Sequence, residues 1–117
     1  MANPGLASLT YGVVDRPAKS GTGRHVGVAS SYLASLQEGD KVQVAIRSAT
    51  KGFQLPAEPH KTPIVCVGAG TGLAPFRAFV QERAIMRARG QALAPAVLFY
   101  GCRDPAVDDL YRDEFDA

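Results

Sequence analysis

Pro63-Ile64-Val65-Cys66-Val67-Gly68-Ala69-Gly70-Thr71-Gly72-Leu73-Ala74-Pro75-Phe76-Arg77 is the stretch that decides the fold. Four consecutive apolar residues, Ile64, Val65, Cys66 and Val67, have the pattern of a strand buried on both faces, as parallel sheets require. Glycine at positions 68, 70 and 72 makes a tight turn. Pro75 suits the first turn of a helix, where its missing N–H costs nothing. The implied order is strand, glycine turn, helix. Along that helix Phe76, Phe79, Val80 and Ala84 are read as one apolar face, with Arg83, Arg87 and Arg89 toward the end that favours cations and Gly90 as a natural stop. A second apolar run, Ala96-Val97-Leu98-Phe99-Tyr100, ends at Gly101-Cys102-Arg103, and residues 108–115 read as the start of another helix. This is a β-α-β unit, in which the strands should be parallel and the crossover right-handed.

Upstream the pattern changes. Pro56, Pro59 and Pro63 break regular structure, which makes residues 56–62 the best candidate for a domain boundary. Before them Val42, Val44 and Ile46 alternate with Lys41, Gln43 and Arg47, the period of a half-buried antiparallel strand, and Phe53 and Leu55 should continue the same small sheet. Residues 9–14 favour another strand, residues 15–23 have a loop composition, and Ser30 and Ser31 can cap a short helix that carries Tyr32, Leu33 and Leu36 and stops at Glu38-Gly39-Asp40. The expected fold class is therefore α/β with a β-barrel portion: the end of an antiparallel barrel, then the first β-α-β of a parallel sheet. No internal repeat links the halves.

Composition excludes several functions. The 117 residues are 46% hydrophobic and 21% charged, ordinary values for a folded domain. The net charge of +2 and the dispersed lysines and arginines argue against nucleic acid as a partner. No apolar run reaches the roughly 18 to 20 residues of a membrane span, and no basic segment followed by an apolar one opens the chain, so a cytoplasmic location is expected. Cys66 and Cys102 have no second cysteine or histidine at ligand spacing, which points to reduced thiols rather than a disulfide or a zinc site. Asp108, Asp109, Asp113, Glu114 and Asp116 read as a solvated helix start rather than a metal site. His25 and His60 read as surface residues and Cys66 as a core residue. Cys102 lies where ligands of open α/β sheets sit, with core and ligand readings evenly matched.

A strand that ends in a glycine turn and feeds a helix gathers backbone N–H groups at the positive end of a helix dipole, a geometry suited to phosphate. Thr71 can add a hydroxyl. Arg24 and Arg103 could each face such a phosphate, although exposure to solvent is the commoner state of arginine. The pattern differs from the dinucleotide fingerprint G-x-G-x-x-G at Leu73, and no acidic residue closes the following strand to hold an NAD ribose. A Walker loop is excluded because no Gly-Lys-Ser or Gly-Lys-Thr follows. A tight turn without a ligand is the alternative.

Gly68 to Arg77, preceded by Pro-Ile-Val-Cys-Val and followed by Ala-Phe-Val-Gln-Glu-Arg, resembles the pyridine-nucleotide loop of the ferredoxin-NADP reductase superfamily. Gly27-Val28-Ala29-Ser30 with Ser31-Tyr32-Leu33 resembles the FAD-diphosphate motif of the same proteins. Phe99-Tyr100-Gly101-Cys102-Arg103 with Asp109-Leu110-Tyr111 resembles their next strand and helix. The chain is most similar to the diflavin NADPH-haemoprotein reductases, and within them to the reductase fused to haem-thiolate fatty-acid monooxygenases. The resemblance spans about residues 9–115. It implies that residues 1–60 are the C-terminal part of an FAD-binding barrel and residues 61–117 the N-terminal half of an NADP-binding domain. It further implies that Gly27, Val28, Ala29 and Ser30 hold the FAD diphosphate and that Tyr11, Gly12 and Val13 lie along the flavin nucleotide. By the same resemblance Thr71, with Gly70 and Gly72, contacts the NADP diphosphate, and the nucleotide is laid over Cys102 and Arg103.

The family's Arg-x-Tyr-Ser segment, which stacks on the isoalloxazine, is absent from the 117 residues, as are its Ser-Arg and Lys-x-Tyr set for the 2′-phosphate and its terminal aromatic residue. Preference for NADP over NAD thus comes from the family alone. The expected function is that of an oxidoreductase fragment, inactive by itself, in which a hydride passes from NADPH to FAD and electrons leave for FMN or haem held in other domains. The alternatives are a non-catalytic nucleotide-binding remnant and a plain NAD-binding dehydrogenase module; the antiparallel stretch before Pro56 argues against the latter.

Overall fold

The computed structural model describes residues 5–47 and 52–115. Cα positions group residues 10–48 into one compact unit and the remaining residues into another.

The first unit holds a two-stranded antiparallel sheet, β1 (Asp15–Pro17) and β2 (Arg24–Val26), followed by α1 (Val28–Ser35). Asp15 pairs with Val26 and Pro17 with Arg24, and Ala18 N–H donates to the Gly23 carbonyl at 3.0 Å to close the hairpin. Arg24 Nε donates to Asp15 Oδ1 at 2.7 Å, and this hydrogen bond holds the Asp15 carboxyl below its ordinary range. The loop expected over 15–23 is therefore a hairpin, and the strand expected over 9–14 begins only at Asp15. Residues 41–47, whose alternation reads as a strand, form none either, and Val42, Val44 and Ile46 are exposed. Alternation makes a two-faced ribbon, but a strand exists only where a neighbour accepts its N–H groups; no such neighbour pairs with 41–47 among the described residues.

α1 starts two residues before the serines expected to cap it. Gly27 is the N-cap, with extended backbone, and its carbonyl accepts the Ser31 N–H at 2.9 Å. α1 stops earlier than expected: Leu36, expected within the helix, is its C-cap with extended backbone, and Glu38-Gly39-Asp40 closes a separate turn in which Asp40 Oδ2 accepts the Gln37 N–H at 2.8 Å and Asp40 N–H donates to the Gln37 carbonyl at 3.0 Å.

The second unit is the β-α-β. β3 (Ile64–Ala69) runs parallel to β4 (Ala96–Gly101), in register from Ile64 opposite Ala96 to Ala69 opposite Gly101. Between them a 3-10 turn (Gly70–Leu73) leads into α2 (Ala74–Ala88), which has Pro75 in its first turn and Arg87 in its last. Leu73, 1% exposed, and Ala94, 7%, are the buried apolar residues among those described. Phe53 does not continue the antiparallel sheet; it packs on α2, stacked on Phe79 with ring centroids 5.4 Å apart and tilted against Phe76 at 6.1 Å.

Two expectations about this unit need correction. The inner face of α2 is built from Phe76, Phe79, Val80 and Arg83, spaced three and four apart, whereas Ala84 is exposed. Arg83 turns in: its Nη2 donates to the Ala94 carbonyl and its Nη1 is buried without a partner. Nor is the sheet covered on both faces. Val65, Val67, Val97 and Phe99 are 68, 72, 48 and 60% exposed, because α2 covers only the opposite face. Parallel sheets are stable when both faces are packed. The 117-residue chain should therefore bind an environment-sensitive apolar dye, and Val67→Lys with Phe99→Lys should remove roughly half of that fluorescence or more. An unchanged signal would show that this face is not the exposed one.

α3 (Arg112–Phe115) is shorter than the helix expected over 108–115. Tyr111 has φ +59, a left-handed conformation that no α-helix accommodates. Residues before it fold into turns instead. The Asp104 carbonyl accepts the N–H groups of Val107 at 3.0 Å and Asp108 at 2.7 Å, and Asp104 Oδ1 accepts that of Ala106 at 2.9 Å.

Candidate functional site

In each unit a helix start at a glycine directs its first backbone N–H groups out of the helix. In the first unit, the Ser31 N–H is the first to find a carbonyl within the turn, so those of Val28, Ala29 and Ser30 point out of the helix without intrahelical partners. No acidic residue occupies this first turn. Ser30 does not offer its hydroxyl freely: Oγ accepts the Val14 N–H at 3.1 Å and donates to the Gly27 carbonyl at 3.3 Å. That hydroxyl ties the helix start to the segment carrying Tyr11, Gly12 and Val13. Gly27 N–H adds a second tie, to the Val14 carbonyl at 2.7 Å. The approach is too close for a side chain, since a Cβ on Gly27 would lie 2.7 Å from Ser30 Oγ and 2.9 Å from Val14 Cβ. The tertiary arrangement thus ties residues 27–30 to Val14, which directly follows 11–13, within one unit, although 11–13 are not a strand.

In the second unit the three glycines of the turn serve three different needs. A Cβ on Gly68 would lie 3.1 Å from the Phe76 ring, so Gly68 lets α2 close onto β3. Gly70 has φ +51, where other residues are strained. Gly72 has neither constraint: nothing lies within 4 Å of where its Cβ would be. The turn therefore presents open space beside the N–H groups that begin it, at the positive end of α2. Thr71 is exposed there. Because Ala69 is opposite Gly101, the residue following each strand emerges at the same sheet edge, and Cys102 and Arg103 join Gly70, Thr71 and Gly72 at the carboxyl ends of β3 and β4. Cys102 is half-buried and Arg103 exposed.

The cleft of about 480 Å³ in this unit lies elsewhere, between the sheet and its helices, lined by Cys66, Phe76, Arg83, Leu98 and Phe115 among others. Its lining is the unit's apolar packing face. Burial pushes the Cys66 thiol upward against the opposing pull of the Arg83 charge, which keeps it a neutral packing group. Arg24, one of the two arginines that could face a phosphate, is engaged with Asp15. His25 lies on β2 and His60 in a turn, both exposed. Of the acidic set, Glu114 binds Arg77 and Asp109 lies 3.2 Å from Arg112; Asp116 falls outside the described residues. No group of three or more potential metal ligands occurs among the described residues.

Arg77 is the residue whose role sequence reasoning missed. Its Nε and Nη2 donate to Glu114 Oε2 and Oε1 at 2.8 and 2.7 Å, and its guanidinium carbon lies 4.4 Å from the centre of the Tyr111 ring. The hydrogen bonds hold the Glu114 carboxyl below its ordinary range. The sign follows: the bridge is fully present above the ordinary carboxylate range and is lost as pH falls through the lowered value. No signal in the sequence marks this pairing, which spans 37 positions.

Residues 66–117 match the family model of the oxidoreductase NAD-binding domain. A bifunctional cytochrome P450/NADPH–P450 reductase of Fusarium oxysporum is 56% identical over 98% of the chain and 11% of its own length. A self-sufficient cytochrome P450 monooxygenase of Penicillium freii is 52% identical over 92% of the chain, and a bifunctional cytochrome P450/NADPH–P450 reductase of Bacillus subtilis 50% over 95%, each across 10% of the relative. The chain spans about a tenth of the length of these relatives. No helix among the described residues is long and apolar enough to cross a membrane.

Proposed function

We propose that the chain supplies the two diphosphate-binding turns of a flavoprotein reductase, because residues 66–117 match the oxidoreductase NAD-binding domain and nearly the whole chain is similar to a segment of P450/NADPH–P450 reductase fusions. In this reading residues 1–60 are the C-terminal part of an FAD-binding barrel and residues 61–117 the N-terminal half of an NADP-binding domain. The observation that carries the reading is the glycine turn at the carboxyl end of β3 and the start of α2, with nothing packed where a Cβ of Gly72 would lie.

Gly70, Thr71 and Gly72 would hold the diphosphate of NADP, with Cys102 and Arg103 beneath the rest of the nucleotide. The backbone N–H groups of Val28, Ala29 and Ser30 would hold the diphosphate of FAD, and Tyr11, Gly12 and Val13 would flank it. Ser30 acts through its hydroxyl to fix the helix start rather than by donating to the ligand. When bound, NADPH supplies a hydride that FAD accepts and passes on as single electrons to FMN or haem in other domains. The role assigned to the residues of this chain is to bind and orient.

Gly27→Ala tests the flavin half. The added methyl collides with Ser30 Oγ and Val14, so the helix start must shift, and overpacking of this kind costs about 1–3 kcal/mol. In the full-length reductase flavin content, read from visible absorbance, should fall while nucleotide affinity holds. Equal flavin content in variant and parent would count against the assignment of residues 27–30. A purified chain that binds nucleotide yet supports no reduction even in full-length form would favour the non-catalytic remnant instead.

A further inference from the structure

The loop from Cys102 to Tyr111 joins the carboxyl end of β4 to α3, a helix of four residues too short to hold itself. Tyr100 secures the loop's middle, its hydroxyl donating to the Asp108 carbonyl at 2.8 Å. Arg77 secures its far end, by the two-pronged bond to Glu114 and by lying over the ring of Tyr111. Gln81 Nε2 adds a longer contact to Glu114 Oε2 at 3.4 Å. Tyr111 is the one non-glycine residue with positive φ among those described, so the loop closes through a corner that needs external support. Arg77 lies in the first turn of α2, directly after the glycine turn. A single guanidinium therefore connects the helix that carries one side of the nucleotide edge to the corner that closes the other.

We propose that Arg77 is a positioning residue: through Glu114 and Tyr111 it holds the 102–111 loop beside the Gly70–Leu73 turn and so sets nucleotide affinity without touching the nucleotide. The proposal rests on the reading of that edge as the NADP site. It separates the role of Arg77 from general stability, because α2 is independently fixed to β3 by Phe76 against Gly68. Loss of Arg77 releases the loop and leaves the parallel sheet in place. Lysine is not an adequate substitute, since it lacks the planar fork that makes two parallel bonds to a carboxylate.

The test compares Arg77→Met, Arg77→Lys and Glu114→Gln in the full-length reductase, with Gly72→Val alongside. Amide hydrogen exchange of residues 103–111 should quicken in the first three while that of β3 and β4 is unchanged. The dissociation constant for NADP⁺ should rise roughly five-fold, as expected when a preformed binding conformation becomes a minority one. The KM for NADPH should rise with it while kcat at saturation holds. Unchanged loop exchange overturns the proposal, as does a freed loop with unaltered affinity, or a rise in exchange shared equally by β3 and β4. Weakened binding in Gly72→Val with normal binding in the Arg77 and Glu114 variants removes this proposal alone. Normal binding in all four removes the reading of the nucleotide edge as well.

Discussion

NADPH-dependent reduction of an electron acceptor by the 117-residue chain alone should fall below that of the full-length reductase by several orders of magnitude. The chain contains no Arg-x-Tyr-Ser segment to stack on the isoalloxazine and none of the family's groups for the 2′-phosphate. Reaction between two bound cofactors depends on holding their reacting atoms in a near-attack geometry, and effective molarities of about 10⁵ to 10⁸ M are forfeited when that positioning is lost. The structure adds a second reason. Leu73 and Ala94 are the buried apolar residues described, and one face of the parallel sheet is open. Few buried contacts fix the two turns assigned to the diphosphates. Stopped-flow or steady-state assays with added FAD and a soluble acceptor would check this, and robust turnover by the isolated chain would overturn the proposed division of the site among segments.

Gly72→Val in the full-length reductase should weaken nucleotide binding at least ten-fold with flavin content unchanged. The structure makes this substitution a sharper probe than sequence alone could. At Gly70 a side chain would strain the backbone, and at Gly68 it would press on Phe76, so loss of binding at either could reflect a damaged turn. At Gly72 the added side chain meets no protein atom within 4 Å of its Cβ and enters the space assigned to the diphosphate. Losing two hydrogen bonds to a charged group, each worth about 1.5–3 kcal/mol, exceeds a ten-fold effect. The FAD diphosphate is assigned to residues 27–30 and should be unaffected. Titration of NADP⁺ with bound flavin followed in parallel measures both. A turn that is merely structural would lose flavin and nucleotide together, and unaltered nucleotide affinity in a folded variant would refute the assigned role.

What the sequence determined by itself is the second unit's order of elements and the parallel pairing of its strands. Ile64 to Val67, the alternate glycines, Pro75 and the run from Ala96 to Tyr100 are local signals: each encodes a conformation through its own backbone freedom or apolar continuity, and the parallel pair with its connecting helix formed as they indicate. The sequence also marked both glycine-led helix starts to which the diphosphates are assigned, because glycine at a helix start is a local requirement. Tertiary structure decided the rest. Residues 41–47 carry a strand's alternation yet form none, since pairing depends on a partner that no local pattern contains. The distinct duties of Gly68, Gly70 and Gly72 emerged only from what surrounds each. Arg83 turned inward and Ala84 outward because the neighbouring sheet, not residue polarity, defined the buried stripe. Arg77 met Glu114 across 37 positions of chain, a pairing set by how α2 and α3 pack and not by anything near either residue in sequence.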